Sequence, residues 1–133
     1  MNSERFERGC EMVWQLDGHR LDGSEGNKIP NADEMDSLGI YVHEYAYGDI
    51  YNRGGIPMRE RLIINIVVTA VLGGCDSLLK GHMERAVKNG MTKKELEEMI
   101  IQISVYAGFP RAIIANRILS EISEHVSEKE FQQ

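Results

Sequence analysis

The sequence predicts an all-α protein of about six helices, built as a single domain over residues 1–133. Three observations carry that expectation. Apolar residues recur at three- and four-residue spacing with no strand-type alternation. Glycines and prolines fall between those runs rather than inside them. One stretch, MTKKEL at 91–96, carries a complete helix-start signature. The length of 133 residues suits one domain with a real core.

Each element follows from its own signals. Ser3 can cap a first helix whose apolar face is Phe6, Cys10, Val13 and Leu16, stopping at Gly18. Residues 18–30 are polar and glycine-rich and read as an exposed loop. Asn31 and Glu34 resemble a capping pair that opens a second helical region carrying Leu38, Tyr41, Val42, Tyr45 and Ala46. Pro57 suits the first turn of a third helix, MRERLIINIVVTAVLGG. From Leu62 to Leu72 only Asn65 and Thr69 are polar, so this is expected to be the central buried helix. Asp76 or Ser77 can cap the fourth, which ends at Asn89-Gly90. Thr92 and Glu95 form a capping box for the fifth, with Met91 and Leu96 at staple spacing. That helix presents Leu96, Met99, Ile100, Ile103 and Tyr106 and stops at Gly108. Pro110 starts the sixth, with Ile114, Ile118, Leu119, Ile122 and Val126 inward.

Composition excludes several function classes. A formal net charge of −6 argues against nucleic acid or an anionic membrane as partner, since either calls for a basic face. No apolar run reaches the roughly 18 residues of a membrane span, and the charged start has no signal-peptide core. Two widely separated cysteines make neither a disulfide framework nor a cysteine zinc site, so a reducing cytoplasm is the expected compartment. No metal triad, phosphate loop or serine elbow is present, and no motif requires a metal or organic cofactor.

The stretch GGCDSLLKGH poses the chemical question. Seven residues separate Cys75 from His82, which on a helix puts them on one face, with Leu78 and Leu79 between and about 10 Å of axis separating them. That is too far for a direct cysteine–histidine dyad. Cys75, at a helix start, is either a thiol activated by the dipole or a small buried hydrophobe. For Cys10, on an apolar face, the second reading is the stronger. His82 is either a core histidine or a general acid/base. His43 has no ligand spacing to another histidine, while His19 and His125 fall in a loop and a polar tail. Asn65 with Thr69, and Gln102 with Tyr106, are i, i+4 pairs that bond to backbone or line a small pocket. Glu60 enters the central helix at its N-terminal end, where the dipole favours an acid. Arg53 and Arg111, beside glycine or proline turns, are solvated or hold a carboxylate bidentately.

The order of YGDIYNRGGIP, RLIINIVVTAVLGG, His82 and NGMTKKELEEMIIQISVYAGFPRAIIANRI resembles the carboxymuconolactone decarboxylase family over roughly residues 35–120. ERFERGCEMV is similar to the family's start. The resemblance implies the all-α fold of that family, shared with a small thiol-dependent component of alkyl hydroperoxide reductase, and a homo-oligomer, hexamer or trimer. One kind of member decarboxylates a lactone acid. The other uses Cys-x-x-Cys-x-x-x-His as a dithiol reductant. Cys75 and His82 match the outer positions of that motif, but Leu78 stands in place of the resolving cysteine. The decarboxylases imply a histidine where this chain has Gln102. The implied function is cofactor-free decarboxylation, or related acid/base chemistry, on a small carboxylic acid or lactone. His82 then transfers the proton, Glu60 assists, Gln102 and Tyr106 position substrate, and Arg53 or Arg111 holds a carboxylate. The alternatives are a one-cysteine peroxidase using Cys75, and a non-catalytic member that binds a small acid or partner protein.

Overall fold

The computed structural model describes residues 1–17 and 29–125, the last three of these by backbone alone. His19, Val126 and the stretch 18–28 of the expected loop lie outside the described residues, as does the side chain of His125. Among the described residues there is no strand. Six α-helices, a 3-10 turn and a π-helix make up the regular structure. The chain forms two compact units, the first ending at Met58 and the second beginning at Arg59.

In the first unit, helix α1 spans Glu4–Leu16 with Ser3 accepting a hydrogen bond from the Phe6 amide. Its buried face is Phe6, Gly9, Cys10, Met12 and Leu16, so Met12 replaces the expected Val13, which is half-buried. The expected cap Asn31 closes only a 3-10 turn, Ala32–Glu34. Asp36 is the real cap, its carboxylate accepting from the Gly39 amide at 2.8 Å. Helix α2, Ser37–Tyr41, then continues into a nine-residue π-helix, Val42–Ile50. The π-helix follows from close backbone packing. A Cβ on Gly9 would collide with the His43 carbonyl, and one on Gly48 would stand 2.5 Å from the Arg5 carbonyl oxygen. Only glycine lets the two backbones meet there. The carbonyls freed at the π-helix end are satisfied by side chains. Arg8 donates to the Gly48 oxygen at 2.8 Å, and Asn52 to that of Tyr47 at 2.7 Å. Leu38, Tyr41, Val42 and Tyr45, expected as an apolar face, are exposed.

The second unit is built from α3 (Met58–Leu72), α4 (Asp76–Lys88), α5 (Lys93–Ala107) and α6 (Phe109–His125). Pro57 sits just ahead of α3 rather than in its first turn. The sharpest correction concerns α3 itself. Only Leu62, Ile66 and Ala70 are buried, whereas Ile64 is 50 % exposed, Val68 48 % and Leu72 67 %. It is an apolar helix that buries one stripe, not a central buried helix. The α4 end is a Schellman motif: the Gly90 amide donates to Val87, and that of Met91 to Ala86, with Gly90 at φ 97. Met91 and Leu96 are both buried, as the staple requires. Thr92 accepts from the Glu95 amide at 3.1 Å, but the Glu95 carboxylate pairs with Arg59 instead of closing the box. The core joins Ile66 and Ala70 of α3 with Leu79, Met83 and Ala86 of α4, Ile100 and Ile103 of α5, and Ala115, Leu119 and Ile122 of α6. Among the described residues no helix is long and apolar enough to cross a membrane.

Candidate active site

The chemistry-bearing residues of the second unit occupy three places. The first is a cavity of about 330 Å3 between α3 and α5, lined by Ile63, Val67 and Val71 on one side and Met99, Gln102, Ile103, Tyr106 and Ala107 on the other. Gln102 and Tyr106, one turn apart on α5, are the polar groups at its rim. Tyr106 is 93 % exposed, outside the α5 core face of Leu96, Ile100 and Ile103. Asn65 and Thr69 do not line the cavity. The Thr69 hydroxyl donates back to the Asn65 carbonyl at 2.7 Å, the usual solution for threonine inside a helix.

The second place is the turn from α3 into α4. Gly73 and Gly74 both have φ 72, a conformation that glycine adopts without steric cost. Cys75 occupies the N-cap position, at φ −128, instead of Asp76 or Ser77. Its carbonyl already accepts the first helical hydrogen bond, from the Leu79 amide at 3.0 Å. Leu78 and Leu79 diverge: Leu79 is buried, Leu78 is 61 % exposed. The Cys75 thiol donates to the Thr69 carbonyl at 3.1 Å. The Arg111 guanidinium, from the first turn of α6, lies against Gly73 so closely that a Cβ there would collide with it. Arg111 is half-buried and has no hydrogen bond or ion pair to any described residue.

The third is His82, half-buried in the second turn of α4 and free of hydrogen bonds to the described residues. Burial first, then the neighbouring Arg85 cation, hold it below the ordinary histidine pKa of 6.5. Its protonated form is therefore a stronger acid than that of free histidine. Glu60 is exposed in the first turn of α3. The structure thus brings Gln102 and Tyr106 together in one cavity, and neither His82, Glu60, Cys75 nor Arg111 lines it. In the first unit, Arg53 is exposed on the turn after the π-helix. The His43 Nδ1 lies 2.8 Å from the Gly39 carbonyl oxygen, which makes Nδ1 the donor, and the ring packs against Phe6 and Tyr47. Burial, reinforced by Glu11 and Glu7, pushes the Cys10 thiol up to about 11, which makes it an inert core residue. Among the described residues no three histidine, cysteine or acidic side chains gather closely enough to hold a metal ion.

Ile63, Val67, Val71 and Met99 line the cavity although nothing in the sequence pattern had singled them out as site residues. The available signal was that α3 is apolar all round, which leaves apolar surface beyond its core stripe.

Comparison with known proteins identifies the family. The chain is 29% identical over 124 residues to the 4-carboxymuconolactone decarboxylase of Acinetobacter baylyi, covering 92% of this chain and 90% of that protein. It is 27% identical over 94 residues to the nitrosuccinic acid decarboxylase npaB of Metarhizium robertsii, 69% of this chain and 64% of the fungal protein. An uncharacterized 15.0 kDa protein from the nqo9-nqo10 intergenic region of Paracoccus denitrificans is 32% identical over 68 residues, about half of each chain. Residues 38–121, from α2 to near the end of α6, match the carboxymuconolactone decarboxylase family, and the chain belongs to that family.

Proposed function

We propose that this protein catalyses cofactor-free decarboxylation, or closely related acid/base chemistry, on a small carboxylic acid or lactone. The observation that carries the reading is His82: a half-buried imidazole with a lowered pKa and no hydrogen-bond partner among the described residues, in a chain whose named relatives are decarboxylases. Such a group is free to serve a substrate rather than the fold.

When the carboxylate leaves as CO2, the electron pair of the broken C–C bond passes into an adjacent carbonyl as an enolate. That carbon then takes up one proton. The His82 imidazolium supplies it, and its lowered pKa makes the transfer more favourable. Gln102 can hold a hydrogen bond but moves no proton, so with Tyr106 it positions substrate. Glu60, exposed at the start of α3, is the second proton-handling group. The protein works as a homo-oligomer, in which the exposed Ile64, Val68 and Leu72 of α3 are covered. A one-cysteine peroxidase fits less well, because the Cys75 thiol is engaged with the Thr69 carbonyl and position 78 offers no resolving thiol.

The test is release of labelled CO2 from a panel of carboxyl-labelled small acids and lactones. His82→Ala is expected to lose about a hundredfold or more in rate, the usual share of general acid catalysis. Full activity in that variant on a substrate the wild type turns over would remove His82 from the mechanism.

A further inference from the structure

We propose that Asn89-Gly90 is a modification site, at which water converts the asparagine to aspartate or isoaspartate once the end of α4 opens. The pair lies outside the cavity and takes no part in the decarboxylation proposed above.

The Gly90 backbone nitrogen gives up its proton and attacks Cγ, the side-chain carbonyl carbon of Asn89. A C–N bond forms, the bond from Cγ to the side-chain nitrogen breaks, and that nitrogen takes up a proton and leaves as ammonia. Water then opens the cyclic imide. Opening at Cγ gives aspartate, and opening at the main-chain carbonyl gives isoaspartate. Asparagine is thermolabile for this reason. Glycine hinders the attack least of all following residues, because it has no Cβ. Here both residues are exposed, and nothing stands within 4 Å of the place that a Cβ on Gly90 would take. Solvent therefore reaches the pair.

The geometry of the α4 stop holds the reaction off. The Asn89 side-chain nitrogen donates to the Arg85 carbonyl oxygen at 2.8 Å, which aims the amide back along the helix. Asn89 has ψ 18, so the Gly90 nitrogen nearly eclipses the Asn89 nitrogen instead of facing Cβ and Cγ. The Gly90 amide proton is donated to the Val87 carbonyl at 3.0 Å, and its removal costs that hydrogen bond as well. Ring closure requires the motif to come apart: the side chain released, ψ turned and the Gly90 bond broken. The rate in the folded protein then follows the population of the opened end.

Either product makes the opening permanent. An aspartate carboxylate cannot donate to the Arg85 carbonyl, and it places a negative charge at a helix C-terminus, where the dipole opposes it. Isoaspartate adds a carbon to the main chain ahead of Gly90, which displaces the Met91 amide from the Ala86 carbonyl. The α4–α5 junction is thus a one-way record of local unfolding.

The test incubates wild-type protein in mildly alkaline buffer, with and without denaturing urea, and follows residue 89 by peptide mass spectrometry and isoaspartate content. In urea, Asn89 is expected to convert faster than Asn116, which precedes Arg117. In the folded protein, conversion at Asn89 should be about tenfold or more slower than in urea. Met91 is buried, and Met91→Ala should raise the folded-state rate severalfold by loosening the motif, while leaving the rate in urea unchanged. Circular dichroism checks that the variant folds. Urea below the unfolding transition should raise the wild-type rate in the same way, so the test does not depend on that variant. Equal rates in folded and unfolded protein would overturn the proposal. So would a folded-state rate that neither Met91→Ala nor dilute urea changes, or an Asn89 that stays intact in denaturing urea.

Discussion

The two units of this protein are held by different forces. In the first, the buried apolar cluster is small, Phe6, Cys10 and Ala32, and the α1 contact with the π-helix is glycine against backbone. Around it runs a polar network: Arg5 to Asp49 at 2.7 Å, Arg8 to Asp49 at 3.2 Å, and the Ser3 hydroxyl to Glu44 at 2.7 Å. In the second, four helices share one continuous apolar core, and the polar side chains with chemical potential are left outside it. That contrast bears on where a site can form. A unit that has its cations paired, as Arg5 and Arg8 are, has none to offer a ligand through them. A unit stabilised by its core can leave His82 and Arg111 without a hydrogen-bond partner among the described residues.

Three substitutions probe the contrast. The largest effect is expected in the second core. Met83 is fully buried, and Met83→Ala should cost about 2–5 kcal/mol, read from denaturant unfolding, with little dependence on salt. The next is in the first unit. Gly9→Ala pushes a methyl into the His43 carbonyl and should cost about 1–3 kcal/mol, with loss of the π-helix backbone bonds in hydrogen exchange. An unchanged stability there would mean that the backbone approach is not what shapes the π-helix. The smallest effect belongs to Asp49→Ala. Hydrogen bonding and attraction to Arg5, then Arg8, hold the Asp49 carboxyl below its ordinary pKa, but the network is solvent-facing. The variant should differ from wild type slightly at low salt and not at all near about 1 M salt. A large, salt-independent loss would show that the first unit depends on that pair more than on its apolar cluster.

Much of this was legible because it is written in local signals. The Thr92 cap, the Asn89-Gly90 stop and the Met91–Leu96 staple each need only a few neighbouring residues, and each is present as expected. The i, i+4 spacing of Gln102 and Tyr106 offered a small pocket as one reading, and both line one cavity. Other features depend on distant partners. Glu95 had the right spacing to close a capping box, yet Arg59, 36 residues away, claims its carboxylate. The π-helix depends on Gly9 and Gly48 meeting another backbone, which no spacing within 42–50 reveals. Asp76 and Ser77 had the right residue types to cap α4, yet the cap position falls on Cys75, directly after the double glycine. Burial of α3 was overread, because composition reports how apolar a helix is and not how much of it a neighbour covers.

The proposed function turns on His82 carrying the proton for an acid/base reaction, and a pH profile of the rate is the measurement that decides it. The lowered pKa of His82 has two consequences of opposite sign. Well above pH 6.5 the histidine is neutral in folded and unfolded chains alike, so it leaves stability unchanged there. As the pH falls below 6.5 the unfolded chain takes the proton first, and the folded state loses stability. Catalysis by the imidazolium runs the other way. The rate of CO2 release should fall as the pH rises through the His82 pKa, below 6.5, and His82→Ala should flatten that limb. A rate that rises over the same range, or a limb that survives in His82→Ala, would exclude His82 as the proton donor.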